Sequence, residues 1–348
     1  MYPRLSIDCE KIAGNVRTMV ALCGTYGIEI TGVTKVVCGD PVIAKIFTDN
    51  GIRRLGDSRV DNLKKYAHLP GEKWLIRMPA PSQAEEVVKW SDVSLNTELE
   101  TIRALERACI RLGRTHKVVL MYDLGDLREG YLDRTELAEA ADYVRNSPVL
   151  ELYGTGTNLT CFSFIQPDTE KLRQLVEVAR EIGADKNVSG GNSATLDLML
   201  RGGIPEGVNQ LRLGESILFG RERACYRYLD GTSNDAFLLR AEVLECKEKP
   251  SLPWGAVGVD SYGKTPVFTD KGIRKRLICA LGRQDCDPET MWPTDDGVEI
   301  LGASSDHLML DVTDARREYR VGDTVQFRLG YYSLLRCYTS SYVEKEYI

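Results

Sequence analysis

The stretch NVSGGNSATLDLMLRGGIPEGVNQLRLGESILFG (187–220) holds one structural unit twice. A short β-rich run, Asn187–Ser193, passes through a glycine turn into a segment with helical spacing, Ser193–Arg201. A second run, Gly207–Glu215, again leads through glycine into an apolar segment. Toward the N-terminus the same unit recurs, with runs at Ile28–Val37, Gly51–Asp57, Glu72–Pro79, Asp92–Asn96, Lys117–Asp123 and Leu150–Leu159. Helix-like segments separate them: Asp40–Asn50, Arg59–Tyr66, Ser82–Trp90, Thr97–Arg111, Arg134–Asn146 and Asp168–Ile182. Several open on Asp, Ser or Thr, the residues that cap helix N-termini. Strands and helices alternating over connections this short predict a parallel α/β sheet, closed as a (β/α)8 TIM barrel, with an open doubly wound sheet as the alternative. In a barrel, chemistry belongs at the carboxyl ends of the strands.

Beyond Tyr228 the texture changes. Ala236–Cys246, Arg276–Leu281, Gly297–Leu301, His307–Val312 and Thr324–Arg328 read as strands between Gly- and Pro-rich turns, and no helix of useful length is expected there. The expected division is a barrel over 11–228 and a second, C-terminal all-β domain over 229–348, joined by residues 1–10. With 348 residues the chain is long enough for two domains with buried cores.

Hydrophobic residues at 43% and charged residues at 28% exclude a disordered chain, a collagen and a coiled coil. The net charge of −6 gives no electrostatic reason to bind nucleic acid or an anionic membrane. No stretch approaches the roughly 18 apolar residues of a membrane span, and the start lacks the pattern of a secretory leader. The ten cysteines form no CxxC pair and read as reduced thiols, which points to the cytoplasm. Three histidines leave no material for a multi-histidine metal centre, so no metal is expected.

Three features carry candidate chemistry. Lys35, in GVTKVVCGD (32–40), ends the first strand of the barrel inside an otherwise apolar run. Partial desolvation there would make its amine a better nucleophile toward carbonyls, and a lysine snorkelling from a strand end is the plainer reading. The turns at NVSGGNS (187–193) and LRLGES (211–216) follow strands seven and eight, where barrels often bind phosphate. A lysine on strand one facing such a phosphate fits pyridoxal phosphate bound as an imine.

Eight motifs in order then mark a resemblance: VTKVVCGD (33–40), LGDSRVDNL (55–63), YDLGDLREG (122–130), GTGTNLTCF (154–162), SGGNSATL (189–196), LRLGESILFG (211–220), ALGRQD (280–285) and GASSDHLMLD (302–311). On these the chain resembles the fold-type III pyridoxal-phosphate family, whose members include alanine racemase, and within it the alanine/ornithine racemase branch. The resemblance implies a pyridoxal 5'-phosphate enzyme interconverting L and D amino acids, with ornithine, alanine or a similar amino acid as substrate. It implies that Lys35 forms the internal aldimine and moves the α-proton on one face. Arg128 would approach the cofactor's phenolic oxygen and the substrate carboxylate. Asn158 stands where alanine racemases have a histidine against the ring, Asn192 and Ser193 match a pair near the phosphate, and Arg212 matches the arginine on the ring nitrogen. Backbone N–H groups of Gly214 and Glu215 would hold phosphate oxygens.

Besides Asn158, the chain departs from alanine racemases at three further places. Their tyrosine four residues after the lysine is here Gly39. Their modified lysine seven residues before the strand-five arginine is here Met121. Their second base, a tyrosine from the β domain of the partner subunit, aligns with Arg283, which stays protonated and is a poor base. Asp285 and His307 are the candidates to replace it, with Ser305 and Asp306 on the substrate, while Tyr262 matches a structural position. The resemblance implies a head-to-tail homodimer in which each β domain completes the partner subunit's site. Two other readings stand: a non-catalytic pyridoxal-phosphate homeostasis protein, suggested by LGDSRVDNL, and a D-amino-acid aldolase or dehydratase of the same fold.

Overall fold

The computed structural model describes residues 2–259 and 263–348. In chain order its strands and helices are β1 (Arg4–Ile7), α1 (Cys9–Thr25), β2 (Glu29–Val33), α2 (Pro41–Asp49), β3 (Arg54–Asp57), α3 (Val60–Lys65), β4 (Glu72–Leu75), α4 (Ala84–Trp90), β5 (Val93–Asn96), α5 (Leu99–Leu112), β6 (His116–Met121), α6 (Arg134–Asn146), β7 (Leu150–Gly156), α7 (Thr169–Glu181), β8 (Val188–Ser189), α8 (Thr195–Leu200), β9 (Gln210–Leu213) and α9 (Glu215–Phe219), then β10 (Phe237–Pro250), β11 (Ile273–Ala280), β12 (Met291–Pro293), β13 (Glu299–Ala303), β14 (His307–Asp311), β15 (Thr324–Leu329), α10 (Tyr331–Thr339) and β16 (Glu344–Tyr347). Two compact units result, Cys9–Ala236 and Met1–Asp8 with Phe237–Ile348.

In the first unit β2 to β9 pair in parallel, each with the next in sequence, and β9 returns to β2, so the sheet is closed. The eight runs read from the sequence are these eight strands, and the closed barrel excludes the open sheet. Asp40, Asp133 and Asp168 cap α2, α6 and α7 by accepting first-turn backbone N–H groups. Inside the barrel Trp74, Val93, Leu95, Val119, Met121 and Tyr153 pack into one apolar cluster. No helix among the described residues is long and apolar enough to cross a membrane.

The second unit is a sheet in the order β12-β15-β10-β11-β14-β13, with β1 on β10 and β16 parallel to β1. It contains a helix that was not expected, α10. Tyr331, Tyr332, Tyr338 and Thr339 favour strands in isolation. Burial of Ser333, Leu334 and Cys337 on one face selects the helix instead. Sequence reading put the change of unit near 228, whereas 229–236 group with the barrel.

One turn positions the lysine expected to be reactive. After β2 the chain makes a single tight turn at Lys35–Val37, closed by Cys38 N–H donating to Lys35 O at 3.1 Å and Gly39 N–H to Thr34 O at 3.2 Å. The LGDSRVDNL motif builds its support. Thr34 Oγ1 donates to Asp57 Oδ2 at 2.8 Å and lies 3.0 Å from the Tyr66 hydroxyl, while Asn62 Nδ2 donates to Asp57 Oδ1 at 2.9 Å. Burial pushes the Asp57 carboxyl above its ordinary range, against the bonds from Asn62 and Thr34 that lower it. Gly39 has φ +65°, and a Cβ there would stand 2.6 Å from Asn62 Cβ and 2.8 Å from Asn62 O. The missing family tyrosine therefore reflects packing: this backbone leaves no room for any side chain at 39.

Two predictions follow from these contacts. Gly113 shares the left-handed conformation, at φ +61°, but has open space around it. Each Gly→Ala change costs about 1–2 kcal/mol from the backbone alone, and the Asn62 clash adds to it only at 39. Thermal melting should show Gly39→Ala losing clearly more than Gly113→Ala, and equal losses would contradict the packing argument. His116 is buried with Nε2 2.8 Å from Ser94 Oγ, and burial pushes it down to about 4. The unfolded chain takes up this proton near 6.5 and the folded chain does not until about 4. Stability therefore falls as pH drops through that window, by about 3 kcal/mol in total. Denaturant unfolding at pH 7 and pH 4.5 should show a smaller acid loss in His116→Gln than in the parent, and an equal loss in both would contradict it.

Candidate active site

At the C-terminal ends of the barrel strands, three loops are tied to one another. The YDLGDLREG loop after β6 closes on itself through Asp123, whose Oδ1 accepts Gly125 N–H at 2.8 Å and Leu127 N–H at 3.2 Å. Asp126, fully buried, reaches into the loop after β7 and accepts backbone N–H groups of Cys161, Phe162, Ser163 and Ile165 at 2.9–3.4 Å. Asn192, in the loop after β8, donates to Asn158 Oδ1 and Leu159 O, both at 2.9 Å, and its own Oδ1 accepts Ala194 N–H at 2.9 Å. The sequence reading put Asn158 and Asn192 in one site, and here they bond directly.

Arg212 on β9 is the buried cation of this end. It is 5% exposed, and it donates through Nη1 to Ser189 Oγ and through Nη2 to Thr157 O at 2.6 Å. Burial pushes it down to about 10, with the charge of Glu129 opposing, so it stays protonated at neutral pH. Ser193 bridges to the next turn: its Oγ donates to Ser216 Oγ at 3.1 Å and accepts Ser216 N–H at 3.2 Å. Gly214 caps the short helix α9, and a Cβ on it would meet Val33 Cβ and Val33 O at 3.1 Å, so the backbone just after β9 lies against the end of β2. The Glu215 carboxylate is held by Arg221, with contacts of 2.8 and 3.0 Å, which leaves its backbone to the helix start.

Lys35 stands on the same rim after β2, and its side chain is exposed in the single chain. Thr34, Val36 and Val37 of the same turn are buried, so the turn itself is anchored in the barrel wall. Arg128 is bound through Nε and Nη2 to the carboxylate of Glu129, the second contact at 2.5 Å. Glu129 is 4% exposed as a side chain and Arg128 is 40% exposed. Sequence reasoning missed Glu129, Asp126 and Asp57. All three lie inside motifs that were quoted, yet their roles depend on neighbours that no spacing reveals.

Two buried polar atoms of this rim have no partner, Thr157 Oγ1 and Asn158 Nδ2. Buried polar groups are normally hydrogen-bonded, and a group bound at this rim would account for these two. The surroundings are a fixed guanidinium, primary amides, serine and glycine turns, and an accessible amine. These suit an aromatic ligand with an acceptor nitrogen and an anionic tail, so the residues fit pyridoxal phosphate. Among the described residues no group of three or more His, Cys, Asp and Glu is placed to hold a metal ion. A cleft of about 950 Å³ at the opposite end of the barrel, lined by Glu72, Lys73, Asp92 and His116, includes none of the expected site residues.

In the second unit the GRQD and SSDH turns lie side by side. Arg283 N–H donates to Ser304 O at 2.9 Å and Gln284 N–H to Ser305 O at 3.2 Å. Arg283 is gripped by Glu289 through Nη2 at 2.7 Å and Nη1 at 3.3 Å, and this guanidinium holds the Glu289 carboxyl down to about 2. Asp285 is buried and accepts Ser340 Oγ at 2.7 Å and Gly282 N–H at 3.3 Å. Both of these bonds lie inside the second unit and fasten the turn that carries Asp285. Asp306 accepts Gln284 Nε2 at 2.8 Å and Ser305 Oγ at 2.7 Å, which occupies both of its oxygens. His307 is exposed at the start of β14. Tyr262 lies outside the described residues.

Comparisons with known proteins identify the family. The alanine racemase N-terminal domain family matches residues 7–222. The chain is 44% identical to the ornithine racemase of Acetoanaerobium sticklandii, covering 99% of both chains. It is 41% identical to the lysine racemase of Thermotoga maritima, covering 100% of this chain and 99% of that one. Its fold superposes on the alanine racemase of Bartonella henselae, solved with covalently bound pyridoxal phosphate, with a TM-score of 0.73 at 16% identity over 99% of each chain. The chain belongs to the alanine racemase family and is an amino-acid racemase of that family.

Proposed function

We propose that this racemase uses pyridoxal phosphate to invert a basic amino acid, with ornithine the first substrate to test. The carrying observation is the ring of groups on one barrel rim: Lys35, Arg128, Asn158, Asn192, Ser193 and Arg212. The substrate reading rests on the similarity to an ornithine racemase and a lysine racemase over nearly the whole chain. The ten cysteines, scattered along the chain with no CxxC pair, support a reducing, cytoplasmic setting.

Lys35 would hold the cofactor, Arg212 its ring nitrogen, Asn158 the ring, and Asn192, Ser193 and the backbone of Gly214 and Glu215 its phosphate. When bound, pyridoxal phosphate supplies a carbonyl for amines and an electron sink for charge at the substrate α-carbon. Arg212 offers only donors and keeps its charge, so it holds the acceptor nitrogen unprotonated and limits how far charge drains from that carbon. Arg128 binds the substrate carboxylate. Lys35 Nζ moves the α-proton on one face. Inversion needs a carrier on the other face, and the β unit of a second copy in a head-to-tail homodimer supplies it. Within that unit Arg283 is an ion-paired cation and Asp285 is sealed in its turn, which leaves His307 of the partner subunit as the proton carrier, with Ser305 and Asp306 beside it.

The non-catalytic reading is not retained, since the chain carries the second, β unit and is similar over nearly its whole length to two racemases. With the protein in heavy water, L-ornithine should lose its α-proton signal and yield D-ornithine. Lys35→Ala should abolish both, and exchange persisting in that variant would overturn the assignment.

A further inference from the structure

Met121 occupies the position seven residues ahead of Arg128, fully buried among the barrel side chains. A Cβ on Gly156 would meet its sulfur at 3.1 Å and Arg212 Nη1 at 3.5 Å, which places this thioether next to the buried guanidinium. A thioether is a weak acceptor and cannot orient an arginine. Arg128 is nonetheless held, by the carboxylate of the very next residue. Its Nε donates to Glu129 Oε2 and its Nη2 to Glu129 Oε1. Side-chain exposure is 4% for Glu129 against 40% for Arg128, so the carboxylate is buried behind the guanidinium. Both sit in a backbone with little freedom: Leu127 has φ +55°, and a Cβ on Gly130 would stand 2.4 Å from Asp123 N.

We infer that Glu129 is the positioning residue for Arg128: its buried carboxylate grips one edge of the guanidinium and turns the other edge to the substrate carboxylate. A guanidinium has five N–H groups in a fixed fork. The Glu129 pair uses one on Nε and one on Nη2, and the remaining fork on Nη1 and Nη2 is a second bidentate site of the right shape for a carboxylate. The charge also matters. Glu129 opposes the repulsion between Arg128 and Arg212, two cations packed into one rim. A glutamine at 129 would keep one acceptor oxygen and lose both the second bond and the charge. An aspartate would keep the charge but withdraw it by one methylene.

The inference rests on the reading of Arg128 as the substrate-carboxylate residue, and the test separates the two. The probe is pentanoate, which has the carbon chain and carboxylate of ornithine but no amine to react. Its affinity for the pyridoxal-phosphate-loaded dimer is measured by calorimetry, beside a melting curve for each variant. Arg128→Ala should weaken pentanoate at least tenfold. Glu129→Gln should weaken it several-fold with the melting temperature little changed, and Glu129→Asp should fall between Gln and the parent. In the Arg128→Ala background, Glu129→Gln should have no further effect. Unchanged affinity in Glu129→Gln, or the same loss in both backgrounds, overturns the inference and leaves the function standing. Unchanged affinity in Arg128→Ala overturns the reading of Arg128 and this inference with it. Where Glu129→Gln does not fold, Glu129→Asp is read the same way.

Discussion

A guanidinium held inside the barrel mouth is the constraint around which this site is arranged. Arg212 is almost without solvent, and removing such a charge from water costs on the order of several kcal/mol unless its donors are satisfied. Ser189 Oγ on β8 and Thr157 O just beyond β7 satisfy two of them. The cation thus links three successive strand ends, and it is affordable only because the sheet is closed and brings those ends together. A carboxylate, Glu129, lies in its field, Gly156 leaves room for the side chains of Met121, Ser189 and Arg212, and Gly214 lets its backbone approach Val33.

Around this cation the loops are locked by carboxylates that face backbone N–H groups rather than solvent. Asp126 fastens the loop after β7 to the loop after β6, and Asp57 carries the turn on which Lys35 sits. Such groups spend their charge on geometry. They hold in place the side chains proposed to meet substrate and cofactor, as a site that must align a proton carrier with an α-carbon to within a fraction of an ångström requires.

Much of this was legible in the sequence, for physical reasons that can be named. The eight strands were readable because each is a short β-rich run bounded by turn residues, and Asp40, Asp133 and Asp168 marked helix starts through their capping chemistry. Helix α10 was not readable, because its tyrosines and threonine favour a strand until tertiary burial decides. Within the site, Lys35 and Arg212 were found as cations at strand ends, and Arg128 through the resemblance carried by its loop motif. Glu129 was not, since adjacent residues in a regular strand face opposite ways, and only the strained loop between Leu127 and Gly130 brings its carboxylate onto Arg128. Gly39 looked like the loss of a ligand and proves to be a packing requirement set by Asn62.

The account stands on one covalent link, between the amine of Lys35 and the aldehyde carbon of pyridoxal phosphate. Reducing the loaded protein with borohydride, digesting it and weighing the peptides tests that link without any assay of turnover. The peptide containing Lys35 should carry the added mass of the reduced pyridoxyl phosphate, and no other lysine should. An unlabelled Lys35 peptide, or label on a different lysine, would contradict the account.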